Sequence, residues 1–234
     1  PYARGRERSM EPDLVVADAK RLSKKYKEIV LTGIHTGRYG KEYNITLTDI
    51  IRRILTETED VRIRISSIEI TQVSDALIQL MKENDRMTKF LHIPLQSGCD
   101  SVLKRMHRPY DTDEYYAKIE KIRKEIPGVS ISTDLITGFP QESEQEFLET
   151  YEFLKKCQFS FLHVFPYSLR EGTVAAKMDG QIDPQVKNLR TKNCIALSEQ
   201  LYDAYQLSKV NEKAEIIAEW VKDGYTTGHT SEYI

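Results

Sequence analysis

The chain has 234 residues, of which 40% are hydrophobic and 30% charged, and its formal net charge is −2 at pH 7. This length suits one large domain or two small ones. The near-neutral charge excludes a global cationic field, so any nucleic-acid contact must involve a local patch or a missing part of the protein. No apolar run approaches the roughly 18 residues that a membrane span needs, which predicts a soluble, cytoplasmic protein without membrane contact.

Strand-like and helix-like segments alternate along the chain. The predicted strands cover residues 29–32, 61–66, 89–93, 129–136 and 159–165. The predicted helices cover residues 11–26, 47–56, 75–83, 101–106, 112–126 and 143–156. This spacing is typical of βα units, so we expect parallel strands with crossover helices, in a partial barrel or an open doubly wound sheet.

The last part of the chain has a different pattern. Residues 183–210 predict one long helix that starts at Pro184. Residues 214–221 and 225–234 flank Asp223-Gly224, a strong hairpin-turn signal. Two strands alone do not form a stable domain, so we expect the start of a small β domain. Because the chain begins at Pro1 and ends on a β-prone residue, we also expect it to be a piece of a longer protein.

The segment Ser130 to Glu142, SISTDLITGFPQE, is the most informative stretch. Alternation places Ser132, Asp134 and Ile136 on one face of the strand, so a carboxylate and an aliphatic side chain lie together near its carboxyl end. Gly138 permits a close approach of another molecule. The same features also fit a plain strand-to-helix turn, and this segment alone leaves the two interpretations equally open.

Polar residues follow each predicted strand. They lie in residues 32–40, 66–69, 94–98, 134–142 and 165–172. In parallel α/β folds ligands bind at the carboxyl ends of strands, and these mostly neutral edges suit a zwitterionic cofactor better than a polyphosphate, since no glycine-rich phosphate motif is present. The glycines could simply serve turns, and Ser66 could cap the next segment. Gln96 is harder to dismiss, because a buried amide needs partners.

The sequence offers no metal site and no catalytic nucleophile. Its five histidines lack ligand spacing, and Cys99, Cys157 and Cys194 are too far apart for a compact metal motif or a disulfide framework. Arg4, Arg6 and Arg8 are interpreted as a solvated loop. A second basic group lies just after the third strand end and could approach a carboxylate or phosphate; it comprises Lys104, Arg105, His107 and Arg108.

Six blocks of the sequence, taken together in order over residues 1–178, resemble the methylthiotransferase family of radical S-adenosylmethionine enzymes. They read PYARGRERS, EIVLTGIHTGRYG, RIRISSIE, HIPLQSGCDSVLKRMHRPY, STDLITGFPQESEQEF and LHVFPYSLREGTVAAKM. In that family a C-x₃-C-x₂-C loop, which binds a [4Fe–4S] cluster, lies just before the first block. The resemblance therefore implies that the cluster cysteines lie upstream of Pro1 and that the chain as given is inactive.

The resemblance implies an α/β fold, an incomplete (β/α)₆ partial TIM-type barrel. Residues 1–210 would form the radical S-adenosylmethionine core without its first strand and cysteine loop, and residues 211–234 the start of a small TRAM-like β domain that binds RNA. The implied cofactors are S-adenosylmethionine and two [4Fe–4S] clusters in the full-length protein. The implied partners are tRNA and an electron donor of the flavodoxin or ferredoxin type.

The resemblance also assigns roles to individual positions. Leu135, Ile136 and Gly138, with Glu142, match the adenine-contact block, in which Asp134 replaces a glycine. The remaining expected cofactor contacts are Thr32 and Gly33 near the methionine amine, Gln96 and Ser97 near the ribose or carboxylate, Phe165, Pro166 and Tyr167 at the adenine edge, and Ser66. The expected substrate contacts are His35, Arg38, Arg108 and Arg170.

The implied chemistry is reductive cleavage of S-adenosylmethionine to a 5′-deoxyadenosyl radical, hydrogen abstraction and insertion of a methylthio group. LTGIHTGRYG resembles the branch that acts on threonylcarbamoyladenosine of tRNA more than the isopentenyladenosine branch. Arg38-Tyr39-Gly40 is shared with the ribosomal-protein branch, which stays an alternative. A non-catalytic RNA-binding or scaffold module that lost its cluster is a further alternative.

Overall fold

The structure is a computed structural model that describes residues 5–234, so Arg4 of the predicted basic loop lies outside the described residues. The chain forms two compact units. The first takes in the described residues up to Leu91, together with Glu125–Val129 and Ala214–Ile234. The second takes in His92–Lys124 and Ser130–Lys213. Each unit is therefore built from segments that are distant in sequence.

The first unit holds a two-stranded parallel sheet with its helices. The elements are α1 (Pro12–Ser23), β1 (Glu28–Leu31), α2 (Leu47–Glu57), β2 (Arg62–Ile65) and α3 (Asp75–Glu83). β1 pairs with β2 from Glu28↔Arg62 to Leu31↔Ile65. α2 starts at a capping box in which Thr46 and Asp49 satisfy each other's backbone N–H groups. The buried aliphatic faces of α2 and β2 supply the core of this unit.

The second sheet has three parallel strands, and most of its residues belong to the second unit. Its strands are β3 (Phe90–His92), β4 (Ser130–Thr137) and β5 (Phe161–Pro166), in the order β3-β4-β5. The helices are α4 (Asp100–Arg105), α5 (Thr112–Glu125), α6 (Glu144–Cys157) and α7 (Pro184–Ser208). α6 begins at a Ser143–Glu146 capping box, and the Tyr115 hydroxyl of α5 donates to the carbonyl of Ile93.

The carboxy-terminal hairpin belongs to the first unit. β6 (Ile217–Lys222) and β7 (Tyr225–His229) pair antiparallel, and both turn residues, Asp223 and Gly224, have a positive φ. The His229 Nε2 atom lies 3.1 Å from a carboxylate oxygen of Glu28, and the Arg64 guanidinium lies over the Tyr233 ring. These contacts attach the hairpin to β1 and β2.

The predicted parallel α/β organisation is confirmed, and the predicted hairpin is present. Most boundaries differ from the predicted ones by one or two residues. α1 ends at Ser23 rather than at Tyr26, and the Lys25 N–H then bonds three residues back to the carbonyl of Leu22, which is the tighter spacing common at helix ends. The assignment of residues 211–234 to a separate small β domain stays a prediction.

Across residues 5–234, no helix combines the length and the apolar character that crossing a membrane requires.

Candidate functional site

One face of the three-stranded sheet carries polar and aromatic side chains that remain accessible. In the register of β4 and β5, Asp134 pairs with His163 and Ile136 pairs with Phe165. Registered partners on neighbouring strands point to the same face. Asp134 and Ile136 are partly exposed, and Phe165 is 52% exposed. We call this surface, formed by Asp134, Ile136, His163 and Phe165 with His92 of β3, the open face.

Two histidines flank Asp134 on the open face. The Nε2 atom of His92 lies 3.3 Å from Oδ2 of Asp134, and its Nδ1 atom lies 2.9 Å from the hydroxyl oxygen of the fully buried Ser132. The His163 ring meets the His92 ring edge to face at 5.3 Å. Desolvation, and secondarily the neighbouring His92, lowers the pKa of His163, so this imidazole is neutral near pH 7.

His92 and His163 are absent from the predicted site residues. In the sequence the histidines lack metal-ligand spacing, and that spacing does not reveal the strand register that brings His92 and His163 to Asp134. The sequence did contain one relevant signal, the alternation of side chains along each predicted strand, which assigns His163 to one face of β5. The register between strands, which decides that this face is also that of Asp134, follows from three-dimensional pairing.

Gln96 occupies an unusual backbone conformation at the end of β3. Its φ is 72°, in the left-handed region that favours glycine. Its N–H donates to the carbonyl of Asp134 and its carbonyl accepts from the N–H of Ile136, both at 2.9 Å. The two bonds fix Gln96 against the functional end of β4. A strained non-glycine residue held this firmly is typical of functional sites.

We expect Gln96→Gly to raise the free energy of unfolding by about 1 kcal/mol, because glycine adopts a left-handed conformation without a Cβ penalty. Urea denaturation measures the change. The control is Gln200→Gly at an exposed position of helix α7, where glycine should lower stability by about 1 kcal/mol. Loss of stability in both variants would contradict the assignment of backbone strain to Gln96.

Two predicted cofactor contacts point into the protein interior. The Ser97 side chain is fully buried, where its hydroxyl meets that of Thr150 at 3.2 Å and accepts from the N–H of Cys99 at 3.3 Å. Leu135 is also fully buried, on the face of β4 opposite to Asp134. Of the predicted adenine pair, the open face therefore carries only Ile136. Ser97 joins the end of β3 to α6.

The turn after β4 is held by a buried ion pair. Gly138 has a φ of 69°, and its N–H donates to Oε2 of Glu142 at 2.8 Å. Arg190 of α7 donates to the same oxygen at 2.8 Å, and also binds the exposed Glu144. Burial raises the pKa of Glu142, while the bonds from Gly138 and Arg190 oppose that rise. In this structure Glu142 thus shapes the strand end.

The end of β5 divides between the open face and the interior. Phe165 and Pro166 are exposed, whereas the Tyr167 ring packs on Phe139 at 5.5 Å and its N–H donates to the carbonyl of Thr137. Arg170 lies exposed in the loop that follows, where its carbonyl accepts bonds from Thr173. Phe165 is therefore the aromatic side chain of this strand end that a ligand on the open face can contact.

Basic residues predicted to contact substrate have partners within their own units. In the first unit, His35 and Arg38 lie 3.5 and 3.1 Å from the carboxylate oxygens of Glu7. In the second unit, the Arg108 side chain donates to the Tyr110 hydroxyl at 3.0 Å. Pairing with Glu7 reduces the net positive charge that Arg38 presents to an anion. Their contact with substrate stays a prediction.

The strand ends of the first unit are accessible. Thr32 and Gly33 are exposed after β1, and the Gly33 carbonyl accepts the hydroxyl of Thr36 at 3.2 Å. Ser66 is half-buried after β2, where its N–H donates to the carbonyl of Leu31. These backbone bonds order both loops. Their grouping with the strand ends of the second unit stays a prediction.

The side chains present suit an adenosine group and do not suit an iron–sulfur cluster. In the described part of the chain, no three His, Cys, Asp or Glu side chains gather as metal ligands. Cys99, Cys157 and Cys194 are each buried, and burial raises the pKa of Cys157 and of Cys194 to about 12, which disfavours thiolates. The open face, in contrast, carries the Asp134 carboxylate, which can accept hydrogen bonds from ribose hydroxyl groups. It also carries the aliphatic Ile136 and the aromatic Phe165, which can pack against an adenine base.

Known sequences resemble this chain over most of its length. A family profile, the radical SAM superfamily, matches residues 1–154. Threonylcarbamoyladenosine tRNA methylthiotransferase MtaB of Bacillus subtilis (strain 168) is 46% identical over 244 residues, which cover 100% of this chain and 54% of that protein. The tRNA-2-methylthio-N(6)-dimethylallyladenosine synthase of Thermoanaerobacter sp. (strain X514) is 39% identical, with 86% and 43% coverage. The chain spans about half the length of these curated relatives.

Solved structures share the fold at low sequence identity. Coproporphyrinogen III oxidase (HemN) from Escherichia coli, a radical SAM enzyme, has a TM-score of 0.59 and 18% identity, and the match covers 81% of this chain and 46% of that chain. Methylornithine synthase (PylB) has a TM-score of 0.55 and 12% identity, with 80% and 53% coverage. At these identities the likeness shows the fold alone.

Proposed function

Because the chain belongs to the radical SAM superfamily, we propose that the protein is a tRNA methylthiotransferase that adds a methylthio group to C2 of N6-threonylcarbamoyladenosine beside the anticodon. The observation that carries this proposal is the 46% identity to the Bacillus subtilis MtaB protein, which extends over the whole chain. The open face supports it, since its side chains suit the adenosine part of S-adenosylmethionine.

The residues of the open face bind and orient this cofactor in the proposed function. Ile136 and Phe165 contact the adenine, and the Asp134 carboxylate accepts bonds from the ribose hydroxyls. Gln96 holds the ends of β3 and β4 together through its two backbone bonds. When bound, S-adenosylmethionine supplies the radical chemistry of the superfamily. The described side chains do not fit an iron–sulfur cluster, so they have no proposed role in holding one.

The proposed partners follow from the reaction. We propose tRNA as substrate and a flavodoxin- or ferredoxin-type protein as electron donor, and we place the reaction in the cytoplasm. The exposed Arg170 side chain, which follows the Phe165 strand end, is the proposed contact for the substrate's phosphates or carboxylate. Arg108, whose guanidinium lies 5.2 Å from the Tyr110 ring, is a second such contact.

A second candidate is methylthiolation of N6-dimethylallyladenosine in tRNA. The observation that favours it is the 39% identity to the Thermoanaerobacter synthase over 86% of this chain. The higher identity and fuller coverage of the Bacillus subtilis protein support threonylcarbamoyladenosine as the first candidate. The two candidates differ in the methylthio nucleoside that is formed, so a single nucleoside measurement separates them.

We expect deletion of the gene that encodes this chain to abolish 2-methylthio-N6-threonylcarbamoyladenosine in the host's tRNA and to raise N6-threonylcarbamoyladenosine. Mass spectrometry of digested tRNA measures both nucleosides. Restoring the gene should restore the methylthio nucleoside, while a gene copy with Asp134→Asn should restore less. Loss of 2-methylthio-N6-dimethylallyladenosine instead would support the second candidate, and no change in either nucleoside would contradict both.

A further inference from the structure

The His92 imidazole lies between two side chains of the same strand. Its Nδ1 atom meets the Ser132 hydroxyl at 2.9 Å, and its Nε2 atom faces Asp134 at 3.3 Å. A neutral imidazole has one donor and one acceptor nitrogen. If the Ser132 hydroxyl donates to Nδ1, the proton is on Nε2, the nitrogen that lies 3.3 Å from the Asp134 carboxylate oxygen. This tautomer gives each ring nitrogen a polar neighbour of matching kind.

Ser132, His92 and Asp134 are arranged in the same order as the residues of a hydrolytic triad. The serine of a hydrolytic triad must be accessible to substrate, and Ser132 is not. Ser132 has no exposed surface, so its hydroxyl cannot reach a substrate carbonyl. The exposed member is instead the carboxylate, whose side chain is 28% accessible. The series therefore ends at Asp134, and its function is to orient that carboxylate.

The surroundings of Asp134 favour one class of ligand. A carboxylate can accept several hydrogen bonds, and the Asp134 carboxylate lies 3.3 Å from His92 with His163 as its registered neighbour on β5. The apolar Ile136 and the aromatic Phe165 lie on the same face, one step further along the strands. The neighbouring His163 is neutral near pH 7 and adds no cation that would favour an anionic ligand. A nucleoside matches this arrangement, because its adjacent ribose hydroxyls can bind the Asp134 carboxylate while its flat base packs against Ile136 and Phe165.

We propose that His92 is a positioning residue, which is held by Ser132 and fixes Asp134 to accept the 2′- and 3′-hydroxyls of a nucleoside. This inference rests on the proposed function, because the adenosine group of S-adenosylmethionine is the nucleoside that the open face then binds. It extends that function by assigning roles to Ser132 and His92, neither of which is a predicted site residue.

Binding of adenosine, 2′-deoxyadenosine and 3′-deoxyadenosine to the 234-residue chain tests the proposal by calorimetry. The chain should bind adenosine roughly tenfold more tightly than either deoxy analogue, since each analogue lacks one hydrogen bond to a charged acceptor. Asp134→Asn, His92→Phe and Ser132→Ala should each bring this ratio close to one. A merely structural role would weaken all three ligands equally and leave the ratio unchanged.

The matched control is Ser130→Ala. Ser130 lies two residues before Ser132 on the same face of β4, is equally buried, and bonds to Ser160 instead of His92. The Ser130→Ala variant should keep the full discrimination. Nitrogen-15 NMR of the imidazole gives a second readout that needs no ligand. His92 should carry its proton on Nε2 in the chain and in Ser130→Ala, and should lose this preference in Ser132→Ala.

The outcomes separate the two proposals. The positioning role would be overturned if His92→Phe kept the same ratio of adenosine to deoxyadenosine affinity as the parent chain. A proton on Nδ1 of His92 would overturn it as well. Either result would leave the proposed function standing. Failure of the chain to bind adenosine at all would overturn the positioning role, and the tRNA nucleoside measurement would decide the proposed function separately. If S-adenosylmethionine displaces adenosine, the bound ribose is that of the cofactor. If only N6-threonylcarbamoyladenosine displaces it, the bound ribose is that of the substrate. Both results support a ribose contact.

Discussion

Arg190→Ala is expected to lower the free energy of unfolding by about 3 to 5 kcal/mol, which is the usual result of removing one partner of a buried ion pair. The Arg190 and Glu142 side chains are 6% and 1% exposed, and their charged atoms are 2.8 Å apart. Without the guanidinium, Glu142 stays buried with the Gly138 N–H as its remaining bond at that oxygen. The penalty therefore arises mainly from the uncompensated carboxylate.

Urea denaturation measures this loss, and Lys155→Ala is the control. Lys155 and Glu152 form an exposed pair on α6 at 2.9 Å, and removal of such a pair changes stability by less than about 1 kcal/mol. Similar losses in the two variants would show that the Arg190 contact does not stabilise the turn after β4. Arg190→Lys keeps the charge but loses the two separate nitrogens that bind Glu142 and Glu144, so its loss should fall between those of the two variants.

The loss in Arg190→Ala should also depend on pH. Burial raises the pKa of Glu142 in the folded protein, and removal of Arg190 takes away a contact that opposes this rise. A carboxyl whose pKa is higher in the folded state loses stability as pH rises from the unfolded pKa through the folded one. The variant should therefore differ less from the parent chain at pH 5 than at pH 8, and a larger difference at pH 5 would contradict this explanation.

Local patterns were sufficient to predict most of the elements. Ser143 and Glu146 have the spacing of a capping box and start α6, and alternation in residues 130–137 correctly places Asp134 and Ile136 on one face. The same alternation places Leu135 on the opposite face, so its assignment to the adenine by motif position conflicted with the strand geometry. A motif gives the order of residues, whereas the pleat decides which side chains a ligand can reach.

Long-range partners could not be predicted from the sequence. Arg190 lies 48 residues after Glu142, and its pairing depends on how α7 packs in the second unit. His92 and Asp134 are separated by α4 and α5, and they meet because β3 and β4 are neighbours in one sheet. Composition and periodicity do not contain this information. The positioning residues of the site are therefore seen only once the strands are paired.

Gly138→Ala is expected to lower the free energy of unfolding by about 2 to 4 kcal/mol. An added Cβ would lie 2.2 Å from Cγ of Lys187, and the backbone φ of 69° is unfavourable for any residue with a side chain. The left-handed conformation accounts for about 1 kcal/mol of this loss, and the steric overlap for about 1 to 3 kcal/mol. Thermal or urea denaturation measures the total.

Two further variants separate the backbone effect from the steric one. Gly172 has a φ of 82° and no atom within 4 Å of an added Cβ, so Gly172→Ala should lose only the conformational part, about 1 kcal/mol. Lys187→Ala removes the overlapping Cγ, so it should restore much of the stability when combined with Gly138→Ala. Additive losses in that double variant would show that α7 does not pack against the turn, and would also remove the basis for the Arg190 prediction, because both residues approach the turn from α7.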